Sequence, residues 1–487
     1  MSRSSSILWL CLAFLVYALG VLAYRDSLMD DTFIHLQYAR NLRAAGTLAF
    51  NPGEPSLGAT SPLWILLLAL FGASELAARL LSVACGGFAV WLFALHARRC
   101  LGGGNFAAAA SIAWAGNLWL VRHAPNGMES TCALLVVLGA FELRARPRGG
   151  WRDVGLGLVL AAAWLVRPEF VLLIGLFFCM DLASSERMQR LRTWLPLCVA
   201  VCALWVGFAW WRVGHVLPDT VSAKSAGPSL GKGVAVLGRC AELVSLAHPI
   251  EAVGLVLALF WGLRRGLRLA WRRHPLAPSV GFALLLVATY ACLDVQVQPR
   301  YLLPALPCLT LAGFVAWRAL CGASLPAAVT VCVAALAASA CVSAVRVLPA
   351  TRDYSRALRP ALVPLVQEVR SRATGTAVVA TPDIGVVGYY GQVRVLDLGG
   401  LIEPRAQALQ DSMGYDAMLV SGAFLDLGAC DFVIDRAHEP ARFAGQVSRN
   451  RHWRPLRTTT IPNLGLSRPG PYFYTLYALE APSPSSR

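Results

Sequence analysis

SPLWILLLALFG, residues 61–72, is apolar enough to enter a bilayer and too short to cross one. A spanning helix takes about 20 apolar residues, whereas a run this short suits an interfacial or re-entrant segment. Whether it crosses decides on which side every later loop lies. If it crosses, Arg98 and Arg144 fall on the side opposite a cytoplasmic N-terminus. If it does not, all Arg-dense loops share one side, as the positive-inside rule expects. We therefore read 61–72 as a helix that does not cross.

The whole composition puts this choice in a membrane. Of 487 residues, 57% are hydrophobic and 14% charged, and the mean hydropathy is +0.57. Such numbers belong to a polytopic membrane protein. The net charge is +16, yet Lys224 and Lys232 are the only lysines. A basic balance raises nucleic acid as a partner. Here the arginines sit in short loops between apolar runs, so they mark membrane orientation and no nucleic-acid partner is expected. The 14 cysteines are scattered, mostly inside apolar runs, with no CxxC or Cys/His ligand spacing. They read as small core hydrophobes.

Apolar windows predict spans near 7–24, 76–97, 104–121, 130–145, 153–168, 169–183, 193–211, 248–264, 276–293, 301–318 and 325–346. That makes about 11 transmembrane helices. Pro168 divides the stretch from 153 to 183, because proline cannot continue a helix without losing a hydrogen bond. The first run reads as an uncleaved anchor rather than a signal peptide. With the N-terminus cytoplasmic, the loops bearing Arg98 and Arg99, Arg144 to Arg152, Arg187 to Arg192, Arg264 to Arg273, and the end near Arg318 are all cytoplasmic.

The external side then receives a first loop, 25–75, the loops 122–129, 212–247 and 294–300, and everything after about 347. These segments and their edges carry the less ordinary polar residues: Asp30, Asp31, His35, Arg122, His123, Glu129, Arg167, Glu169, Asp219, Lys224 and Arg300. Charges at a membrane edge are costly and are functional candidates by default. The tail, 350–487, changes character. Its strand-like runs TAVVATPD, QVRVLDLGG, CDFVIDR and YFYTLYALE alternate with Gly/Pro turns, which predicts an external α/β domain.

DDTFIHLQYARNL, 30–42, reads as an amphipathic helix lying on the membrane surface, with Ile34, Tyr38 and Leu42 on one stripe. Its two acids either cap that helix or leave one carboxylate as a base or ligand. Glu129 in RHAPNGMES either caps the next helix or meets substrate. Arg167 and Glu169 in WLVRPEF form a structural pair or offer a cation to a lipid phosphate. Arg300 in VQPRYLLPALP either snorkels or joins Arg122, Arg167 and Lys224 in neutralising a phosphate. GPSLGKG, 227–233, is not a P-loop: it has three residues between glycines and Gly233 where Ser or Thr is needed.

In order along the chain, DDTFIHLQYARNL, FNPGEPSLGATSPLW, NGMES, LVRPEF, LPDTVSAK, QPRYLLPALP, PDIGVVGYYG and LDLGGLIEPR resemble the GT-C superfamily of glycosyltransferases that use polyprenyl-phosphate sugars. Within it they resemble the mycobacterial terminal arabinofuranosyltransferase group. The resemblance implies a GT-C-like transmembrane catalytic domain, 1–349, with an acidic first external loop that forms surface helices, and an extracytoplasmic domain, 350–487. It implies a polyprenyl-phosphate sugar donor entering from the outer leaflet and a glycan, lipid or protein acceptor. Catalysis would fall to Asp30 and Asp31, with Asp30 as base. Donor or substrate binding would fall to His35, Arg122, His123, Glu129, Arg167, Glu169, Lys224, Arg300 and Tyr301.

A sugar hydroxyl is a poor nucleophile, so a carboxylate that takes its proton helps the attack on C1. The phosphate leaving group needs cations more than a proton. VQPRY lacks the Gly-rich lead-in of the relatives, and PDT stands where PNT is more usual; both bear on the donor's identity. No metal requirement follows, although two acids suit a divalent ion. The other readings are transfer of a different lipid-linked sugar and transport of a lipid-linked saccharide. A transporter favours repeats and charges at the midplane, and neither is evident here.

Overall fold

The computed structural model describes residues 3–147, 149–216, 230–265, 274–373 and 375–480. They fall into two compact units. One comprises residues 1–25, 79–208 and 225–348, and the other 26–78, 209–224 and 349–487.

The first unit is helical. It contains α1 (Arg3–Ala23), most of α4 (Glu75–Cys100), α5 (Gly104–Ala115), α6 (Leu118–His123), α7 (Ser130–Ala145), α8 (Gly150–Val166), α9 (Val171–Leu182) and most of α10 (Arg187–Val213). It continues with α11 (Leu230–Ala247), α12 (Pro249–Arg265), α13 (Ala277–Cys292), α14 (Pro299–Leu302), α15 (Leu306–Cys321) and α16 (Leu325–Val342). Small residues let these helices approach. Gly254 of α12 lies under the Trp317 ring of α15, with the Trp317 indole N–H donating to Ile250 O at 2.9 Å. Pro168 breaks the chain as its ring requires: Arg167 is extended, and a 3-10 turn, Pro168–Phe170, leads into α9.

Among the described residues, three helices are long and apolar enough to cross a membrane: Glu75–Cys100, Arg187–Val213 and the continuous helix Leu325–Arg372. A fourth span results if Lys232–Ala247 and Pro249–Phe260, bent by 108°, count as one. Ile7–Ala23, Ala277–Cys292 and Leu306–Cys321 are shorter apolar helices. Leu8, Leu204, Trp211, Leu259 and Leu284 are well exposed, as lipid-facing side chains are. The segment 230–247, read from the sequence as loop, is helix α11.

The second unit combines the first loop with the tail. Its helices are α2 (Asp30–Ala45), α3 (Pro62–Leu70), α17 (Leu348–Arg372), α18 (Ile384–Gly391), α19 (Pro404–Met413) and α20 (Tyr415–Val420). α17 begins at the boundary of the two units. The stretch 61–72 holds the nine-residue helix α3, too short to span. The sheet contains β1 (Val378–Thr381), β2 (Arg394–Asp397), β3 (Phe432–Ala437), β4 (Val447–Ser448), β5 (Arg451–Ile461) and β6 (Tyr472–Glu480), in the order β2-β1-β3-β6-β5-β4. β1 is parallel to β2 and β3, and the remaining pairs are antiparallel. Its core gathers Phe424, Phe443, Trp453 and Tyr477.

Candidate functional site

Helix α2 does not show a single apolar stripe. Nearly every side chain from Asp30 to Asn41 is buried, polar ones included. Its packing against α18 explains why. Met29, not an acid, is the N-cap of α2, and no side chain caps it. Asp30 instead caps α18. Its two carboxylate oxygens accept the N–H groups of Gly385 at 2.9 Å and Val386 at 2.8 Å. A Cβ on Gly385 would collide with the Asp30 carbonyl oxygen, so the close approach requires glycine.

Burial lifts the Asp30 carboxyl to about 7. The neighbouring Asp383 adds to this, and the two backbone N–H groups oppose it. Asp383 in turn is held by Arg436 at 2.7 Å and by the Tyr474 hydroxyl, which donates at 2.9 Å. Tyr354 completes the acidic group. Burial first, then Asp30, Asp383 and Asp31, keep its phenol protonated well above the ordinary range. Asp31 is half-buried, and its carbonyl accepts from His35 Nδ1 at 2.9 Å. Thus Asp30, Asp31 and His35 come together in the second unit. Asp383, Tyr354, Arg436 and Tyr474 join them, and sequence reasoning gave none of these four a role. PDIGVVGYYG contains Asp383 and Gly385, but nothing local pairs that motif with residue 30.

The basic candidates assemble in the first unit, around His123. Asn126 Oδ1 accepts the Met128 N–H at 2.9 Å, so Asn126 Nδ2 is the group that donates to His123 Nδ1, at 3.0 Å. His123 is therefore held as a neutral ring. Burial, Arg122, Arg300 and Arg167, in that order, push its pKa well below the usual value. Arg122 itself is lowered to about 10 by burial and Arg300, against an opposing influence of Tyr24, and stays cationic at neutral pH. Three of the four expected cations thus share one neighbourhood, and the fourth, Lys224, lies outside the described residues.

The three arginines differ in what holds them. Arg167 is buried and clamped by two carboxylates, Glu129 at 2.6 Å and Glu169 at 3.1 Å. Tyr290 donates to the same Glu169 oxygen at 3.0 Å. The structural pair foreseen for WLVRPEF is a triad, and Glu129 spends its carboxylate there instead of capping α7. Arg300 does not snorkel. It is buried, with its guanidinium over the Tyr301 ring at 5.2 Å and an N–H directed to Met128 Sδ at 3.3 Å. Arg167 lies over Tyr301 as well, at 5.1 Å. The cluster holds three guanidiniums against two carboxylates, a setting suited to a phosphate.

Glu54, in the loop before α3, pairs with Arg394 at 2.6 Å and accepts from Asn51 at 3.0 Å, an ordinary loop role. Among the described residues no group of three or more His, Cys, Asp and Glu is arranged to hold a metal ion. The cysteines are free thiols.

The chain matches known proteins at three levels. Residues 353–477 match a family described as a domain of unknown function, DUF8728. Over 285 residues, 53% of this chain, it is 29% identical to the terminal beta-(1->2)-arabinofuranosyltransferase of Mycobacterium tuberculosis, and it spans 44% of that relative's length. In fold it is similar to ArnT from Cupriavidus metallidurans, solved bound to undecaprenyl phosphate, with a TM-score of 0.59 and 13% identity over 83% of this chain and 89% of that one. It is also similar to the oligosaccharyltransferase AglB from Archaeoglobus fulgidus, solved with an inhibitory peptide and a dolichol-phosphate, with a TM-score of 0.54 and 11% identity over 89% and 70% of the two chains. The resemblance carried by the ordered motifs is borne out, and the chain has a GT-C-like fold, a helical core with a C-terminal sheet domain.

Proposed function

We propose that this chain is a membrane glycosyltransferase that moves a sugar, arabinofuranose in the leading case, from a polyprenyl-phosphate donor to an extracytoplasmic glycan, lipid or protein. The curated relative supports arabinofuranose, and the ArnT and AglB structures support a lipid-phosphate donor. The membrane part is read as about 11 crossings, with a cytoplasmic N-terminus and an extracytoplasmic tail. The observation that carries the chemistry is Asp30: a buried, oriented carboxyl titrating at about 7. A base is most effective when its pKa lies near the working pH.

The step is a displacement at C1. The acceptor hydroxyl oxygen forms a bond to C1 as the bond from C1 to the phosphate oxygen breaks. The hydroxyl proton goes to Asp30, and the electron pair leaves with the polyprenyl phosphate. Backbone N–H groups fix Asp30, so the carboxylate keeps its aim. Within the first unit, Arg122 and Arg300 are the cations suited to a lipid phosphate, with Tyr301 holding Arg300 in place. Arg167, Glu129 and Glu169 are the frame around them, His123 is a neutral polar neighbour, and His35 lies beside Asp31.

Membranes carrying wild type, Asp30→Asn or Asp31→Asn, matched for expression, are given polyprenyl-phosphate arabinose with a labelled sugar. Wild type transfers label. Asp30→Asn loses at least 100-fold in rate, the scale of a lost general base, and retains donor binding. Equal rates in all three remove the acids from the mechanism. Failure of wild type with this donor and with a panel of other lipid-linked sugars returns weight to a transporter.

A further inference from the structure

The helical unit holds a cavity that sugar transfer does not use. Its volume is about 600 Å³. Its walls come from the last turns of α4 and α7, from α9, and from the start of α13. Among the described residues that line it, every ionisable side chain is basic: His96, Arg99, Arg144 and His274. The remaining wall is apolar or small, with Leu176 and Leu284 as typical members. Along α7, Arg144 stands 15 residues from Glu129, roughly 22 Å at the helical rise. The cavity is therefore remote from the His123 cluster.

Two carboxylates stand behind this wall rather than in it. Glu142 takes Arg99 at 3.1 Å, and Asp181 takes Arg144 through two bonds of 2.8 and 3.2 Å. Trp194 also donates to Asp181, at 2.9 Å. Each acid fixes a guanidinium while using only part of its five N–H groups. His96, almost fully buried, lies with Nδ1 at 3.4 Å from Glu142 Oε1, and neither atom makes a hydrogen bond among the described residues. Cations favour helix C-termini in any case. That accounts for Arg99 and Arg144, but not for a cavity of this size or for two histidines on its wall.

The flanks of the cavity say what kind of anion it fits. Leu284 of α13 and Val171 of α9 are more than half exposed, so both helices present apolar residues outward. A free anion has no use for such a wall. We propose that the cavity binds an anionic phospholipid, its phosphate against Arg99, Arg144 and His274 and its acyl chains along the apolar flanks of α9 and α13. Under the orientation proposed above, this is a lipid of the cytoplasmic leaflet, where basic pockets between helices meet anionic headgroups.

The test uses the full-length chain in nanodiscs of phosphatidylcholine with increasing phosphatidylglycerol. Thermal midpoint and lipid retained in native mass spectrometry are both read. Phosphatidylglycerol raises the wild-type midpoint and is retained. Arg99→Gln combined with His274→Gln weakens the response roughly tenfold, the size of one lost charge-assisted hydrogen bond, and leaves the midpoint in pure phosphatidylcholine unchanged. Leu284→Trp, which crowds the cavity and removes no charge, gives the same loss. A full response in these variants overturns the proposal. So does an equal shift by soluble glycerol 1-phosphate, which would mean that the headgroup alone is bound. A response lost only together with the midpoint in phosphatidylcholine marks the arginine as structural and also overturns it.

Discussion

Asp30 occupies the first turn of its own helix but caps another, 355 residues away. A carboxylate that accepts two N–H bonds normally titrates low. Here burial and Asp383 win, and it titrates at about 7. The sign for stability follows from this raised value. An unfolded chain holds the group at 3.8, so the folded state binds the proton more tightly. The contribution is full below about 4 and is lost as pH rises through about 7. The sign for catalysis is opposite, because the base works deprotonated. We expect kcat/KM for transfer to rise with pH through about 7 in wild type. In Asp30→Asn the residual rate should lack that limb. A limb that persists in Asp30→Asn and disappears in Asp31→Asn would make Asp31 the base. Burial sets the midpoint first, then Asp383, with Asp31 adding less and the Val386 and Gly385 N–H groups opposing, and Asp383→Asn should move it downward.

Elements were legible where their signal is local. Apolar windows found most of the long helices of the first unit because lipid-facing and core-facing residues are both apolar, so length marks them. β1, β2, β3 and β6 showed as short β-branched and aromatic runs between turns. β5 did not: RHWRPLRTTTI carries four charges or imidazoles and a proline, and only its pairing with β6 makes it a strand. α11 was hidden by the glycines at 231, 233 and 238, which read as loop. The contacts between elements were not legible at all. Asn51 gives its Nδ2 to Val395 O and takes the Val395 N–H on Oδ1, both at 2.9 Å, across 344 residues. It thereby closes the open edge of β2, the end strand of the sheet. Asn51→Ala leaves a buried N–H and C=O without partners. The expected cost is about 1–3 kcal/mol, read as a lower thermal midpoint and faster proteolysis near residue 54. Wild-type resistance in this variant would show that water replaces the amide.

At the scale of the whole chain the arginines carry the topological information, and the run at 61–72 decides how to read it. A cytoplasmic N-terminus and an external tail require an odd number of crossings. Among the described residues three helices are long and apolar enough to cross as they stand, and in the proposed topology shorter apolar helices supply the rest. Those shorter helices can cross where neighbours or a thinned bilayer make up the missing length. Helix α3, with nine residues, has no such route alone. Treating it as a crossing makes the count even and turns every Arg-dense loop after it outward, against the positive-inside rule. Reporter fusions after Arg487 measure this directly. Alkaline phosphatase fused there should be active and green fluorescent protein dark, with the reverse for fusions at Arg146, in the loop after α7. A fluorescent fusion after Arg487 would give an even count. The acidic group around Asp30 and the tail sheet belong to one compact unit, so a base working on an external acceptor would then lose its place. The lipid assigned to the Arg99 and Arg144 cavity would move to the outer leaflet if the fusion at Arg146 reversed as well.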